Sequence, residues 1–143
     1  MNTIQETLVT TLRSIKPPLC VLSTVDATGK SESAVMAYAV QDDGTLLIST
    51  HTVSRKWKNM QTNNQVSLVF GLSFGVMNVQ VEGTATLFSE GADFEANQKI
   101  FFDANPELMK YRTNDTGFIQ VKPNWVRLND YTQAPPKVEE SSL

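Results

Sequence analysis

From Val76 to Phe88 the chain alternates almost without a break, with Met77, Val79, Val81, Ala85 and Leu87 on one side and Asn78, Gln80, Glu82, Thr84 and Thr86 on the other. A period of two is the geometry of an extended strand, so this stretch predicts one long strand with a core face. The other face is unusually polar for a strand of that length. Whatever fold the chain adopts must contain a sheet that accommodates it.

The neighbouring elements follow from periodicity and from breakers. Thr3-Ile4-Gln5-Glu6 matches a capping box, and Ile4, Leu8, Leu12 and Ile15 repeat at helical spacing until Pro17-Pro18 stops the helix. Leu19–Thr24 reads as a strand, Asp26–Gly29 as a turn, and Ser33–Val40 as a second strand that is largely apolar on both faces and so expected to be covered on both. Asp42-Asp43-Gly44 turns the chain into a third strand, Leu46–Thr50. A helix carrying Trp57 and Met60 runs to Asn63-Asn64, and Val66–Phe70 is the strand before the long one. A further helix is expected over Asp93–Ala104, a short turn at Pro106, and a last strand over Gly117–Val121 and Trp125–Leu128, broken at Pro123. Residues 133–143, with Pro135-Pro136 and an acidic end, read as a flexible tail, which leaves residues 1–132 as a single domain. The order is helix, three strands, helix, two strands, helix, strand. That order predicts a mainly β protein, an antiparallel barrel with accessory helices rather than a doubly wound sheet.

Bulk properties narrow the function classes. A length of 143 residues supports one core. A net charge of −3 argues against nucleic acid or an anionic membrane surface as partner, so any anion site must be local. The longest apolar-rich run, Val66–Met77, contains two serines and two glycines and falls short of the roughly 20 residues that span a bilayer. The single cysteine excludes an internal disulfide framework and suits a reducing, cytoplasmic setting. Its surroundings, Leu19-Cys20-Val21-Leu22, favour a buried thiol over a nucleophile.

The chemistry-bearing stretch is Ser49-Thr50-His51-Thr52-Val53-Ser54-Arg55-Lys56, which sets four hydroxyls and two cations between a strand and a helix. Ser54 sits where an N-cap belongs, and a helix start offers free N–H groups to an anion. Arg55 and Lys56 in the first turn oppose the helix dipole unless an anion compensates them, which points to phosphate. A capped, solvated helix start is the plainer alternative. The absence of a Gly-rich phosphate loop excludes a nucleoside-triphosphate site. His51, the only histidine, reads as a phosphate donor or a solvent-edge residue.

The run Leu46-Leu-Ile-Ser-Thr50, Ser54-Arg-Lys56, Asn63-Asn-Gln-Val-Ser-Leu-Val-Phe70 and Val81-Glu-Gly-Thr-Ala85 resembles the pyridoxamine 5′-phosphate oxidase-like, FMN-binding split-barrel proteins, and the likeness extends back through Cys20–Asp26 and Gly29. It implies a six-stranded antiparallel split β-barrel of the FMN-binding type. Ser49, Thr50, Ser54, Arg55 and Lys56 would clasp the FMN phosphate, Val35, Met36 and Ala37 would lie against the flavin ring, and Asn78 would place an amide near it. It further implies a homodimer with the flavin site at the interface, and a flavin-dependent oxidoreductase acting on a small substrate in which the flavin carries the chemistry. The vitamin-processing oxidase carries basic residues near both ends of the second strand, where this chain has Ser33 and Tyr38, which argues against pyridoxamine-phosphate oxidation itself. The alternatives are a flavin-binding module without turnover, or a relative that uses a deazaflavin or haem. No metal site is expected.

Overall fold

A computed structural model describes residues 2–143. The elements are α1 Thr3–Ser14, β1 Leu19–Val25, β2 Ser31–Val40, β3 Leu46–His51, α2 Arg55–Thr62, β4 Gln65–Phe70, β5 Met77–Phe88, α3 Gly91–Ala104, a 3-10 helix Pro106–Tyr111, β6 Thr116–Asp130 and β7 Lys137–Ser142. All strand pairs are antiparallel. The order β3-β2-β1-β4-β5-β6 closes on itself through β3–β6, which makes the expected six-stranded barrel, and β7 is appended to β6.

Three sequence expectations shift. The helix cap falls one residue early: Asn2 accepts from the Gln5 backbone N–H at 2.9 Å while its own N–H reaches the Gln5 side chain at 3.0 Å. Asn caps as well as Thr, so Thr3 becomes the first helical residue. The last strand is not broken at Pro123 but runs 15 residues through it. Pairing with β5 slips there, Glu82 facing Trp125 and Gly83 facing Pro123, so Asn124 bulges and the missing proline N–H falls at an irregularity. A Cβ at Gly83 would lie 2.7 Å from the Lys122 carbonyl oxygen, which explains the glycine. Finally, the stretch expected as a flexible tail contains β7, which pairs with Trp125–Asp130 of β6. The pattern Lys-Val-Glu-Glu-Ser-Ser gave no core face to find, because every β7 residue is exposed or half-buried.

Two apolar clusters position everything else. The barrel interior is filled from all six strands, including Cys20, Leu22, Tyr38, Ile48, Phe70, Val79, Val81, Ile119 and Val126. Leu8 and Leu12 of α1 and Trp57 and Met60 of α2 join that core, as their helical spacing requires. The second cluster lies outside the barrel, where Phe94, Phe101 and Phe102 of α3 surround Phe118 of β6 at centroid distances of 5.4, 5.7 and 6.0 Å. β3 is therefore buried on both faces, with Leu46 and Ile48 turned inward and Leu47 turned to α3. The double coverage expected of β2 holds only for its end, since Tyr38 and Ala39 are buried while Val35 is 60% exposed.

Burial also sets a pH limit on the fold. Cys20 is fully buried, and desolvation pushes its thiol from an ordinary 9.0 to about 12. Tyr38 moves the same way, chiefly by desolvation, while its hydroxyl donates to the Leu12 carbonyl at 2.6 Å. Groups whose acid form is favoured by folding stabilise fully below their unfolded pKa and lose that contribution as pH rises toward the folded value. The urea midpoint should therefore fall as pH climbs from 9.0 toward about 12, and Cys20→Ala should flatten the decline. Equal slopes for the two proteins would contradict the assignment.

Candidate functional site

The site forms where two neighbouring strands part. β1 pairs with β2 along Ser31–Ala37, but β3 pairs with β2 only at Tyr38–Val40. Beyond that point Ser49, Thr50 and His51 follow β6 instead, opposite Phe118, Gly117 and Thr116. Among the described residues no strand covers the outer edge of Val35–Ala37, so its outward backbone groups border an open cleft of about 350 Å³. That volume falls in the range of about 300–1,000 Å³ typical of small-molecule sites.

The cleft has an apolar wall and a polar end. Val35, Met36 and Ala37 line it together with Phe102 of α3 and Leu108 of the 3-10 helix, Ala37 and Leu108 packing against the cluster that contains Phe102. Ser49, Thr50, His51, Lys56, Arg112 and Thr116 supply the polar groups, and Tyr111 stands at the rim, 64% exposed. Among the described residues lining it there is no carboxylate, although the chain as a whole carries −3. Lys56 enters no ion pair among the described residues. His51 Nδ1 lies 3.3 Å from Thr113 Oγ1, and the Thr52 N–H donates to the Asp115 carbonyl at 2.7 Å, which ties the end of β3 to the segment before β6. A larger cleft of about 450 Å³ between α1 and the β4–β5 turn is mostly apolar and carries one charge, Lys16.

Arg55 and Ser54, expected in the clasp, do not line the cleft. Ser54 is the N-cap of α2, its hydroxyl accepting from the Trp57 N–H at 3.3 Å. Arg55 donates through Nε to Glu32 at 2.7 Å, and this partner holds its pKa above the ordinary arginine value. Buried Asn59 donates to the same carboxylate at 3.3 Å and to Thr24 at 3.0 Å, so the group ties α2 to β1 and β2. Asn78 also lies outside the cleft: its amide donates to the Phe70 and Gly71 carbonyls at 3.3 and 3.4 Å and braces the turn after β4. Trp125 faces the outer sheet surface beside Ser67 and Gln80, and Arg127 pairs with Glu140 of β7 at 3.6 Å.

The family model described as pyridoxamine 5′-phosphate oxidase matches residues 4–130. The chain belongs to the pyridoxamine 5′-phosphate oxidase family. No curated protein matches it. Among solved structures, a heme binding protein from Mycobacterium smegmatis superimposes with a TM-score of 0.78 at 15% identity, covering 99% of this chain and 59% of that one. General stress protein 26 from Bacillus anthracis str. Sterne gives 0.75 at 22% identity over 99% of this chain and 100% of that one. A pyridoxamine 5′-phosphate oxidase-related, FMN binding protein from Nostoc punctiforme PCC 73102 gives 0.67 at 12% identity, covering 96% and 93%. At these identities the likeness is one of fold. The chain thus spans little more than half of the first of these structures and all of the second.

In this member of the pyridoxamine 5′-phosphate oxidase family, Val35, Met36, Ala37, Ser49, Thr50 and Lys56 converge on one cleft, as their sequence positions suggest. Phe102, Leu108, Tyr111, Arg112 and Thr116 carry no sequence signal for it. Pro106 marked only a turn, and the pairing of His51 with Thr116 that brings this segment to β3 is a tertiary contact. Asn59→Ala should cost about 1–3 kcal/mol, because it strands the buried Thr24 hydroxyl. A urea titration checks this, and a loss below about 0.5 kcal/mol would show that the Asn59 link contributes little.

Proposed function

We propose that the protein binds FMN in this cleft and acts as a flavin-dependent oxidoreductase on a small substrate. The carrying observation is the pairing of a carboxylate-free cationic end, Lys56 with Ser49 and Thr50, with an apolar wall at Val35–Ala37 whose backbone edge is open. This donor set fits a flavin monophosphate: the cation and hydroxyls suit the phosphate, and the wall with free backbone groups suits the ring. Bound FMN would supply the electron transfer. The chain's own groups would fix the phosphate, orient the ring edge and exclude water on the α3 side through Phe102 and Leu108.

One chain encloses the cleft on one side only. Val35 and Tyr111 are 60% and 64% exposed at it. The row Val35, Val21 and Val69, adjacent in register across β2, β1 and β4, extends this partly apolar surface over the outer sheet. A second copy of the chain is the proposed cover, in a two-fold dimer with two equivalent sites. A haem reading is less well supported. Cys20 is buried in the core, and the cleft's imidazole, His51, is already engaged with Thr113 through Nδ1 at 3.3 Å.

Purified protein loaded with FMN should show an oxidised flavin spectrum and bind FMN more tightly than riboflavin. Lys56→Ala should weaken FMN binding about tenfold or more while leaving riboflavin binding unchanged. Equal wild-type affinity for the two flavins would remove the phosphate assignment. Assembly is a separate matter for sedimentation across a concentration series. FMN should shift the protein toward the dimer and dilution should release flavin, whereas a monomer that holds flavin with undiminished affinity would exclude the shared site.

A further inference from the structure

We infer that Arg112, and not Arg55, is the second cation of the phosphate end, and that the segment from Pro106 to Thr113 is therefore part of the binding site. The inference rests on the FMN reading above. Adjacent Arg55 and Lys56 suggest a paired clasp in the sequence, but the structure separates them. Lys56 lines the cleft, whereas Arg55 lies along a different, smaller hollow beside Asp26, Lys30 and Glu32, with its Nε on Glu32.

Arg112 lines the cleft that Arg55 does not reach. It lines the same cleft as Lys56, just after the 3-10 helix, where its backbone N–H donates to the Met109 carbonyl at 3.0 Å. Its Nε donates to Gln98 of α3, a neutral partner, and no carboxylate pairs with it among the described residues. A guanidinium held at Nε by an amide keeps both terminal nitrogens for a planar anion, which is how arginine binds phosphate best. The C-terminal end of the segment is anchored at the polar end of the cleft, while Leu108 contributes to its apolar lining. Thr113, the next residue, contacts His51 Nδ1 at 3.3 Å, and its N–H donates to the Thr116 hydroxyl at 2.9 Å, while Thr116 pairs with His51 across β6 and β3. Lys56 and Arg112 thus approach that end from two different elements, the first turn of α2 and the connection into β6.

The test is a fluorescence or calorimetric titration with FMN and riboflavin in parallel, which reads binding without activity. Arg112 is exposed, so Arg112→Ala leaves the core untouched. It should lower FMN affinity about tenfold and leave riboflavin affinity as it was. Arg112→Lys should recover part of the loss, and Arg55→Ala should keep the wild-type preference for FMN. A preference undiminished in Arg112→Ala, or abolished in Arg55→Ala, overturns the inference. If wild type prefers FMN and only Lys56→Ala loses that preference, the FMN reading stands and the role of Arg112 falls. If wild type shows no preference at all, both fall.

Discussion

The pairing of β3 with the first half of β6, from Leu46↔Val121 to His51↔Thr116, joins two strands that α2, β4, β5 and α3 separate in the chain. It closes the barrel, so the interior core depends on it, and with that core the burial of Leu46, Ile48, Ile119 and Val121. It also withdraws Ser49–His51 from β2, and that withdrawal opens the cleft. A β3 paired with β2 along its whole length would leave no slot beside Val35–Ala37. Closure and site are thus one event, with the loop-closure entropy of a long-range contact offset by apolar burial on both faces of β3.

The second cluster explains why β3 goes with β6. Leu47 and Phe118 sit beneath the Phe94, Phe101 and Phe102 side chains of α3, so the outer side of this strand pair is as dry as its inner side. Phe102 serves twice, packing against Phe118 at 6.0 Å and forming part of the cleft's apolar wall. Gly117 makes room on the same strand: a Cβ there would lie 2.7 Å from the Trp57 ring, so the glycine lets α2 seat its indole at the end of the barrel and fixes where Lys56 emerges.

Electrostatics is arranged by segregation. The chain is acidic overall, yet several of its carboxylates are engaged away from the cleft, Glu32 with Arg55 and Asn59, Asp42 with Arg13, and Asp26 with its own turn, whose hydrogen bonds from Thr28 and Lys30 hold that carboxyl below the usual range. The cleft retains Lys56 and Arg112 without an opposing charge among the described residues. An anion entering a partly enclosed site meets less competition and less screening than it would at an open surface.

The sequence by itself determined the elements and their faces. Period two marked β5, helical spacing marked α1, and a hydroxyl-rich, cationic junction between β3 and α2 marked the polar end of the site, because each of these is a local pattern read within a few turns or residues. It also made Cys20 a core thiol, since its neighbours are apolar. Tertiary structure decided what local pattern does not encode. Whether Arg55 or Lys56 faces the cleft depends on a carboxylate 23 residues away on β2, and the 3-10 segment with Arg112 reaches the site only through the register of β6 against β3. Likewise β7, polar on both faces, exists because β6 offers it an edge, and Pro123 stays within β6 because the bulge at Asn124 beside it absorbs the irregularity. Long-range hydrogen-bond registers and charge partners are properties of the closed barrel, and they settle only when its strands meet.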